Sequence, residues 1–318
     1  MLILDRGQVE SLLNMDALIE ALAPAMVELS AGRISMPQRM AAQVEGKGLL
    51  GVMPAYLPAS GTLSCKLVSV FPGNGAASLP THQAVVMLFD ATSGTPLAML
   101  DGSSITALRT AAGSALATRL LAREDAKVLL IIGTGVQALA HARAVRRVRG
   151  ISEFRVVGRD PLRLKAFVEA LVTEFHCPVK AVAPGARAFV GVDIVCATTH
   201  AEQPVVRGEW LLPGMHVNSV GLNAKGQELD VEVVQRAKLV VESRAAALAP
   251  PPAGANELAG AIVHAEIGEI VSGARPGRIA PDEVTLYKSV GVAIQDAVAA
   301  RLVYDAALAQ GLGRDVSL

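Results

Sequence analysis

The sequence predicts an α/β fold in two domains, on three observations. Short apolar runs alternate with helical stretches through the second half, a glycine turn joins one such run to a helix, and the first half carries a separate block of strands divided by turn clusters. At 318 residues and 52% hydrophobic content, each domain can bury a core of its own.

The elements follow in order. From Asp16 to Ser30, Leu18, Ile19, Leu22, Met26 and Leu29 recur at helical spacing behind Asn14 and Asp16, which can cap the start, and the helix is expected to end near Gly32. Between Gly48 and Met99 the runs GLLGVMPAYL, TLSCKLVSVF, AVVMLFDA and PLAMLDG, separated by PAS, PGNG and SGTP, predict antiparallel strands. Ser104 to Leu121, rich in alanine and threonine, predicts a closely packed helix. The run VLLII, ending at Ile132, has the continuous apolar character of a parallel strand buried on both faces. It is followed by GTGVQA and the helical LAHARAVRRV, then by the strand FRVVG and a helix from about Leu162 to Glu174. Further strands are expected at VDIVCATT, HVNSVG and KLVVES, LAPPPAGAN is a loop, and VTLYKSVGVAIQDAVAARLVYDAAL gives a strand-to-helix turn and a closing helix.

Gly133, Gly135 and Ala138 form GxGxxA between a buried strand and a helix, the context in which this pattern serves as a dinucleotide fingerprint. Gly133 permits the tight turn, Gly135 lets the backbone approach a pyrophosphate, and Ala138 keeps helix and strand close, with Thr134, Val136 and Gln137 completing the cradle at the helix N-terminus. The plain alternative is a strand-to-helix turn with no ligand. The second domain is therefore expected to be a Rossmann-type NAD(P)-binding domain. After the next strand comes Arg159 and then Asp160. A guanidinium suits a 2′-phosphate, so NADP(H) is preferred; Asp160 keeps NAD(H) open, and a solvated turn before Pro161 is the bland reading of the pair. Thr198, Thr199, Ser219 and Val220 end later strands, where a parallel sheet opens its ligand crevice.

Lysine plus arginine (29) balances aspartate plus glutamate (29), and only 3% of residues are aromatic, which argues against nucleic acid and an anionic membrane and for a small-molecule ligand. No apolar run reaches the roughly 18 residues of a membrane span. MLILDRGQVE lacks the pattern of a signal peptide. Cys65, Cys177 and Cys196 are scattered and odd in number, which predicts neither a disulfide framework nor a metal site and suits a cytoplasmic protein.

The ordered set MPQRM, CKLVSVFPGN, LPTHQA, DGSSITALRTAA, GTGVQA, NSVG with QELD, and YKSVGVAIQD resembles the ornithine cyclodeaminase and mu-crystallin family over nearly the whole chain. The resemblance implies an α+β substrate-binding and dimerisation domain at 1–118 with 293–318, an NAD(P)-binding domain at 119–292, and a homodimer. It also implies that Arg39, Lys66 and Arg109 hold a substrate carboxylate, with His82 beside them, that Thr110 reaches a cofactor phosphate, and that Lys288 and Ser289 lie beside the nicotinamide. A carboxylate held by arginine and lysine fixes the substrate Cα for hydride transfer. Lys66 in an apolar strand and Arg109 in an alanine-rich helix need a buried partner or a pocket for their charges, whereas a surface cation is the alternative for each.

Cyclodeaminases place a carboxylate shortly after the VG of the NSVG-like turn. Here the sequence runs Val220-Gly221-Leu222-Asn223-Ala224-Lys225, so Asn223, counted with Lys66 and Arg109 among the catalytic positions, cannot act as the base. Asp230 is read as a helix cap for VEVVQRA. The resemblance then favours an NADP(H)-dependent reductase or dehydrogenase at the Cα–N centre of a small L-amino or cyclic imino acid, such as Δ1-pyrroline-2-carboxylate. Its alternatives are a true ornithine cyclodeaminase and an NADPH-dependent ligand-binding protein without turnover.

Overall fold

The computed structural model describes residues 1–223, 226–251 and 253–317, without the Ala76 side chain. The chain runs β1 (Leu2–Leu4), α1 (Arg6–Leu12), α2 (Met15–Ser30), β2 (Met40–Val44), β3 (Gly48–Leu57), β4 (Thr62–Val70), β5 (His82–Asp90), β6 (Pro96–Asp101) and α3 (Gly102–Leu121). It continues through β7 (Val128–Ile132), α4 (Val136–Val148), β8 (Glu153–Val157), α5 (Pro161–Phe175), β9 (Val179–Ala181), β10 (Ile194–Ala197), β11 (His216–Ser219), α6 (Val231–Arg236), β12 (Lys238–Val241) and α7 (Arg244–Ala247). It closes with β13 (Ala265–Glu266), α8 (Ile267–Val271), β14 (Thr285–Lys288), α9 (Ala293–Gln310) and β15 (Arg314–Asp315). Two compact units result: Met1–Arg109 with Val292–Leu318, and Thr110–Gly291, the division falling within α3.

The first unit is built on one sheet in the order β15-β1-β6-β5-β4-β3-β2. The four expected strands, β3 to β6, pair antiparallel. Three further strands extend the sheet beyond expectation. β1 joins β6 in parallel, β15 pairs antiparallel with β1, and β2, exposed at all five residues, pairs with β3. The β4 residues Thr62, Ser64, Lys66 and Val68 are buried on the face that α9 covers, whereas Leu63, Cys65 and Leu67 on the opposite face are only half-buried. Three rows of that opposite face are largely apolar: Val52, Leu67 and Val85 stand side by side, as do Tyr56, Leu63 and Phe89, while Pro54, Cys65, Met87 and Met99 form a row between them; Asp101 beside Val85, and the row Leu50, Ser69 and Gln83, are its polar edge. Asn14 caps α2 by accepting from the Ala17 N–H, and Gly32 follows the helix with φ +67°.

The second unit is an all-parallel sheet in the order β13-β12-β14-β11-β10-β7-β8-β9. Its central strands are buried on both faces: β10, β11 and β14 at every residue. Leu130, Ile132, Val195 and Val217 pack into one apolar cluster and Leu129, Ile131, Ile194 and Cys196 into another, so successive residues of one strand feed opposite layers. From β7 the chain proceeds outward through β8 and β9 on one side and through β10 and β11 on the other, which puts the topological switch point between β7 and β10. Asp230 caps α6 by accepting from the Val233 N–H, and also from the Gly208 N–H.

Candidate active site

In the second unit the glycine turn leaves β7 at the switch point. Gly133 has φ +120°, and a Cβ there would lie 2.7 Å from Thr198 Oγ1 and 2.9 Å from the Thr198 carbonyl oxygen, so only glycine lets the two strand ends approach. At Gly135 the reverse holds: φ is −92°, and an added Cβ would meet no protein atom within 4 Å. Nothing in the fold requires glycine there, and the open space is what a close-lying phosphate needs. Gly135 is the N-cap of α4 without a side-chain capping bond, which leaves the N-terminal amides available, and Ala138 is fully buried against the sheet. A dinucleotide thus fits this turn. Arg159 and Asp160 are exposed after β8; Asp160 Oδ1 accepts from the Leu162 and Arg163 amides as the α5 N-cap.

The polar residues at the other strand ends are tied together by a residue the sequence reading had not assigned. Glu228, 2% exposed, accepts at Oε1 from the Thr199 amide and hydroxyl (2.5 and 2.8 Å) and at Oε2 from Ser219 Oγ and the Gly221 amide (2.8 Å each). Thr198 Oγ1 donates to the Ile132 carbonyl, and the Val220 amide donates to Ala197. Two of the expected site residues lie here with protein partners of their own. Lys288, expected at the nicotinamide, is fully buried, with its ammonium donating to Ser219 Oγ (3.0 Å) and the Gly221 carbonyl (2.6 Å) and paired with Glu257 (2.9 Å). It shapes the crevice through the 219–221 backbone, because a buried ammonium has to satisfy its donors on protein atoms. Asn223, counted as catalytic, turns Nδ2 toward the carbonyls of His200 (3.4 Å) and Ala201 (3.3 Å), and Asn256 Nδ2 donates to the Asn223 carbonyl: the asparagine fastens one loop to another. Ala224 and Lys225, which follow Asn223 in the sequence, lie outside the described residues. Ser289 donates to buried Glu242, and Thr110 is buried on α3.

In the first unit Lys66 and Arg109, two of the three expected cations, meet on one carboxylate. Lys66 (2% exposed) and Arg109 (5%) both reach Asp296 Oδ1 on α9, at 3.2 Å from Nζ and 3.1 Å from Nε, and Arg109 Nη1 donates to Gln295 Oε1 at 2.8 Å. Burial drives the Lys66 ammonium down to about 8; Asp296 opposes this, while Arg109 and Arg39 add to it, which also puts Arg39 within electrostatic range of the cluster. Burial pushes the Asp296 carboxyl up, but Arg109 and Lys66 together hold it below the usual carboxylate range. His82 is lowered to about 4 by burial and by the positive charges of Lys66 and Arg109, so its imidazole is neutral near pH 7. Two buried cations thus share one protein carboxylate. Asp296 and Gln295 were missed as site residues although both stand in the quoted closing motif YKSVGVAIQD; nothing in that stretch alone says which side chain meets Lys66, 230 positions away.

A parallel sheet with a ligand-ready glycine turn at its switch point, and a second α+β unit holding a buried cation cluster, define a Rossmann-type α/β protein of the dinucleotide-binding class. The model of the ornithine cyclodeaminase/mu-crystallin family matches residues 1–311, and the chain belongs to that family. It is similar to ketimine reductase mu-crystallin of Mus musculus, with 39% identity over 293 residues that cover 91% of either chain. Among solved structures it is similar to Thermococcus litoralis Δ1-pyrroline-2-carboxylate reductase in complex with NADH and L-proline (TM-score 0.94, 39% identity, 99% of this chain and 100% of that one). It is also similar to an archaeal alanine dehydrogenase dimer with bound NAD (TM-score 0.90, 34% identity, 100% and 99%). Among the described residues no helix is long and apolar enough to cross a membrane, and no cluster of His, Cys, Asp and Glu could hold a metal ion.

Proposed function

We propose that the protein is an NAD(P)-dependent reductase or dehydrogenase that transfers hydride at the Cα–N centre of a small L-amino acid or cyclic imino acid, of the Δ1-pyrroline-2-carboxylate type. The buried cluster in the first unit carries this reading. Two buried cations, Lys66 and Arg109, outnumber the one carboxylate they share, Asp296, and the surplus positive charge, withdrawn from water, suits a substrate carboxylate that would complete the neutralisation. Both Nε and Nη1 of Arg109 are held by protein, which leaves Nη2 to face such a carboxylate. When bound, the nicotinamide supplies hydride to the imine carbon. The chain's part is to fix the carboxylate with Arg109, Lys66 and Arg39, to keep His82 neutral beside it, and to hold the dinucleotide on the Gly133–Gln137 turn and the α4 N-terminus. Thr110, Thr198, Thr199, Ser219 and Val220 border the cofactor crevice in this reading.

NADP(H) is our preferred cofactor, because Arg159 stands exposed after β8 while Asp160 has one oxygen committed to the α5 cap. NADH and NAD in the two solved relatives keep NAD(H) as the alternative. The apolar outer rows of the first unit's sheet support a homodimer, the state given for the archaeal alanine dehydrogenase. Three unpaired cysteines suit a cytoplasmic protein. Asn223, whose amide fastens a loop, disfavours the cyclodeaminase alternative.

The test follows oxidation of NADPH or NADH with Δ1-pyrroline-2-carboxylate, alongside ammonia release from ornithine with NAD⁺. NADPH oxidation without ammonia release is the expected result; ammonia and proline from ornithine would overturn the reductase assignment. Arg109→Ala is expected to lower kcat/KM by roughly a thousandfold while dinucleotide affinity, read by fluorescence titration, survives. Retained turnover would remove Arg109 from the site.

A further inference from the structure

We propose that the Gln295–Asp296 pair at the start of α9 is the positioning element of the carboxylate site: Asp296 keeps Lys66 an ammonium and, with Gln295, aims Arg109. The inference rests on the reading of the cluster as the substrate site. Asp296 Oδ1 is shared by Lys66 Nζ and Arg109 Nε, at 3.2 and 3.1 Å, in a site where neither Lys66 nor Asp296 exceeds 2% exposure. A lysine so deeply buried has two ways to remain there, by losing its proton or by keeping a carboxylate beside it. The charged groups acting on Lys66 are Asp296 from α9, Arg109 from α3 and Arg39 ahead of β2, and of these Asp296 alone favours the ammonium; His82 at the start of β5 in turn feels the positive charge of Lys66.

Gln295 Oε1 accepts from Arg109 Nη1 (2.8 Å) and from the Val292 amide (3.1 Å), so the start of the helix and the guanidinium are braced by one side chain. The bracket has capacity left over. Gln295 Nε2 and Asp296 Oδ2 are both buried without a hydrogen-bond partner, one a donor and one an acceptor. Buried polar atoms in native proteins are seldom left unpaired, and a pair of them next to surplus cations points to a ligand with both hydrogen-bonding senses, which an amino or imino acid has.

The experiment compares pH profiles of kcat/KM for Δ1-pyrroline-2-carboxylate, together with dinucleotide affinity, in the wild-type dimer and in Asp296→Asn, Asp296→Glu and Gln295→Leu. Wild-type activity is expected to fall on the alkaline side as Lys66 loses its proton, and Lys66→Arg should abolish that limb. Asp296→Asn is expected to move the limb toward acid by about one pH unit or more and to raise KM by about tenfold, with cofactor affinity unchanged. Asp296→Glu keeps the charge and should leave the limb in place with a raised KM; Gln295→Leu should raise KM alone. These two variants serve if Asp296→Asn does not fold. Wild-type limb and wild-type KM in the folded variants would overturn the assignment. Failure of the underlying reading has a separate signature: the wild-type protein oxidises no reduced nicotinamide with imino acids, or Arg109→Ala stays active, and the present inference then falls with it.

Discussion

Strands β4 and β10 sit at comparable places in their sheets and are buried in opposite styles. β10 is buried at all four residues, Ile194 to Ala197, and sends them alternately into two apolar layers of the second unit. β4 is buried on one face, and three of its four buried residues there, Thr62, Ser64 and Lys66, are polar; its half-buried face is the apolar one, with Leu63, Cys65 and Leu67. The parallel sheet therefore keeps apolar side chains inside the chain and presents backbone and small polar groups at its strand ends. The antiparallel sheet places a charged side chain in its own covered face and leaves apolar rows half-buried on the other. In the proposed reading the two units divide the work by chemistry: main-chain amides for phosphates in one, desolvated cations for a carboxylate in the other.

One substitution made in both sheets tests the contrast. Val195→Asp puts a carboxylate without a partner between the layers of the parallel sheet and is expected to cost about 5 kcal/mol or more, abolishing cooperative folding by calorimetry. Met87→Asp on the apolar outer face should leave a folded monomer while raising the dimer dissociation constant by roughly 100-fold or more in sedimentation. A Met87→Asp protein that unfolds like Val195→Asp would show that both sheets are closed within one chain.

Acid offers a second contrast. His141 and His216 in the second unit are lowered to about 4 and about 3 by burial, and His82 in the first to about 4. A histidine near pH 6.5 when unfolded then binds its proton in the unfolded chain before the folded one, so stability is complete above about 6.5 and falls as pH drops toward 4. Each contributes up to roughly 1.4 kcal/mol per pH unit in that window, less for the less buried His82. Hydrogen exchange followed from pH 7 to 4 is expected to show the second unit, with two such groups, losing protection first; equal loss in both units would break the comparison. The smallest effect is local: Asp160→Ala removes two capping hydrogen bonds from α5 and should cost about 1 kcal/mol in denaturant unfolding without changing the first unit.

Much of this arrangement was legible before any coordinates. Continuous runs such as VLLII are buried on both faces in the structure, and the glycine turn sits where its strand-to-helix context predicted. What was missed is short or lacks periodicity. β1 is three residues, β2 is exposed along its length, and α1 is signalled by an Asp5 to Gln8 capping box rather than by apolar periodicity. Lys288 and Asn223 show the limit for single residues: motif position names them, and only the structure shows that the Lys288 ammonium meets the Gly221 carbonyl and the Asn223 amide the Ala201 carbonyl.

The sequence by itself determined the alternation of strand and helix, the glycine turn between them, and the presence of cations that cannot rest in an apolar setting alone. These are local properties of period, backbone freedom and residue type. Only the tertiary structure decided that Asp296 neutralises Lys66 across 230 residues and Arg109 across 187, and that Glu228 gathers Thr199, Ser219 and Gly221 onto one carboxylate. The physical reason is that a buried charge must find its counter-charge in space, and which one it finds is fixed by how helices and sheet pack rather than by anything within reach along the chain.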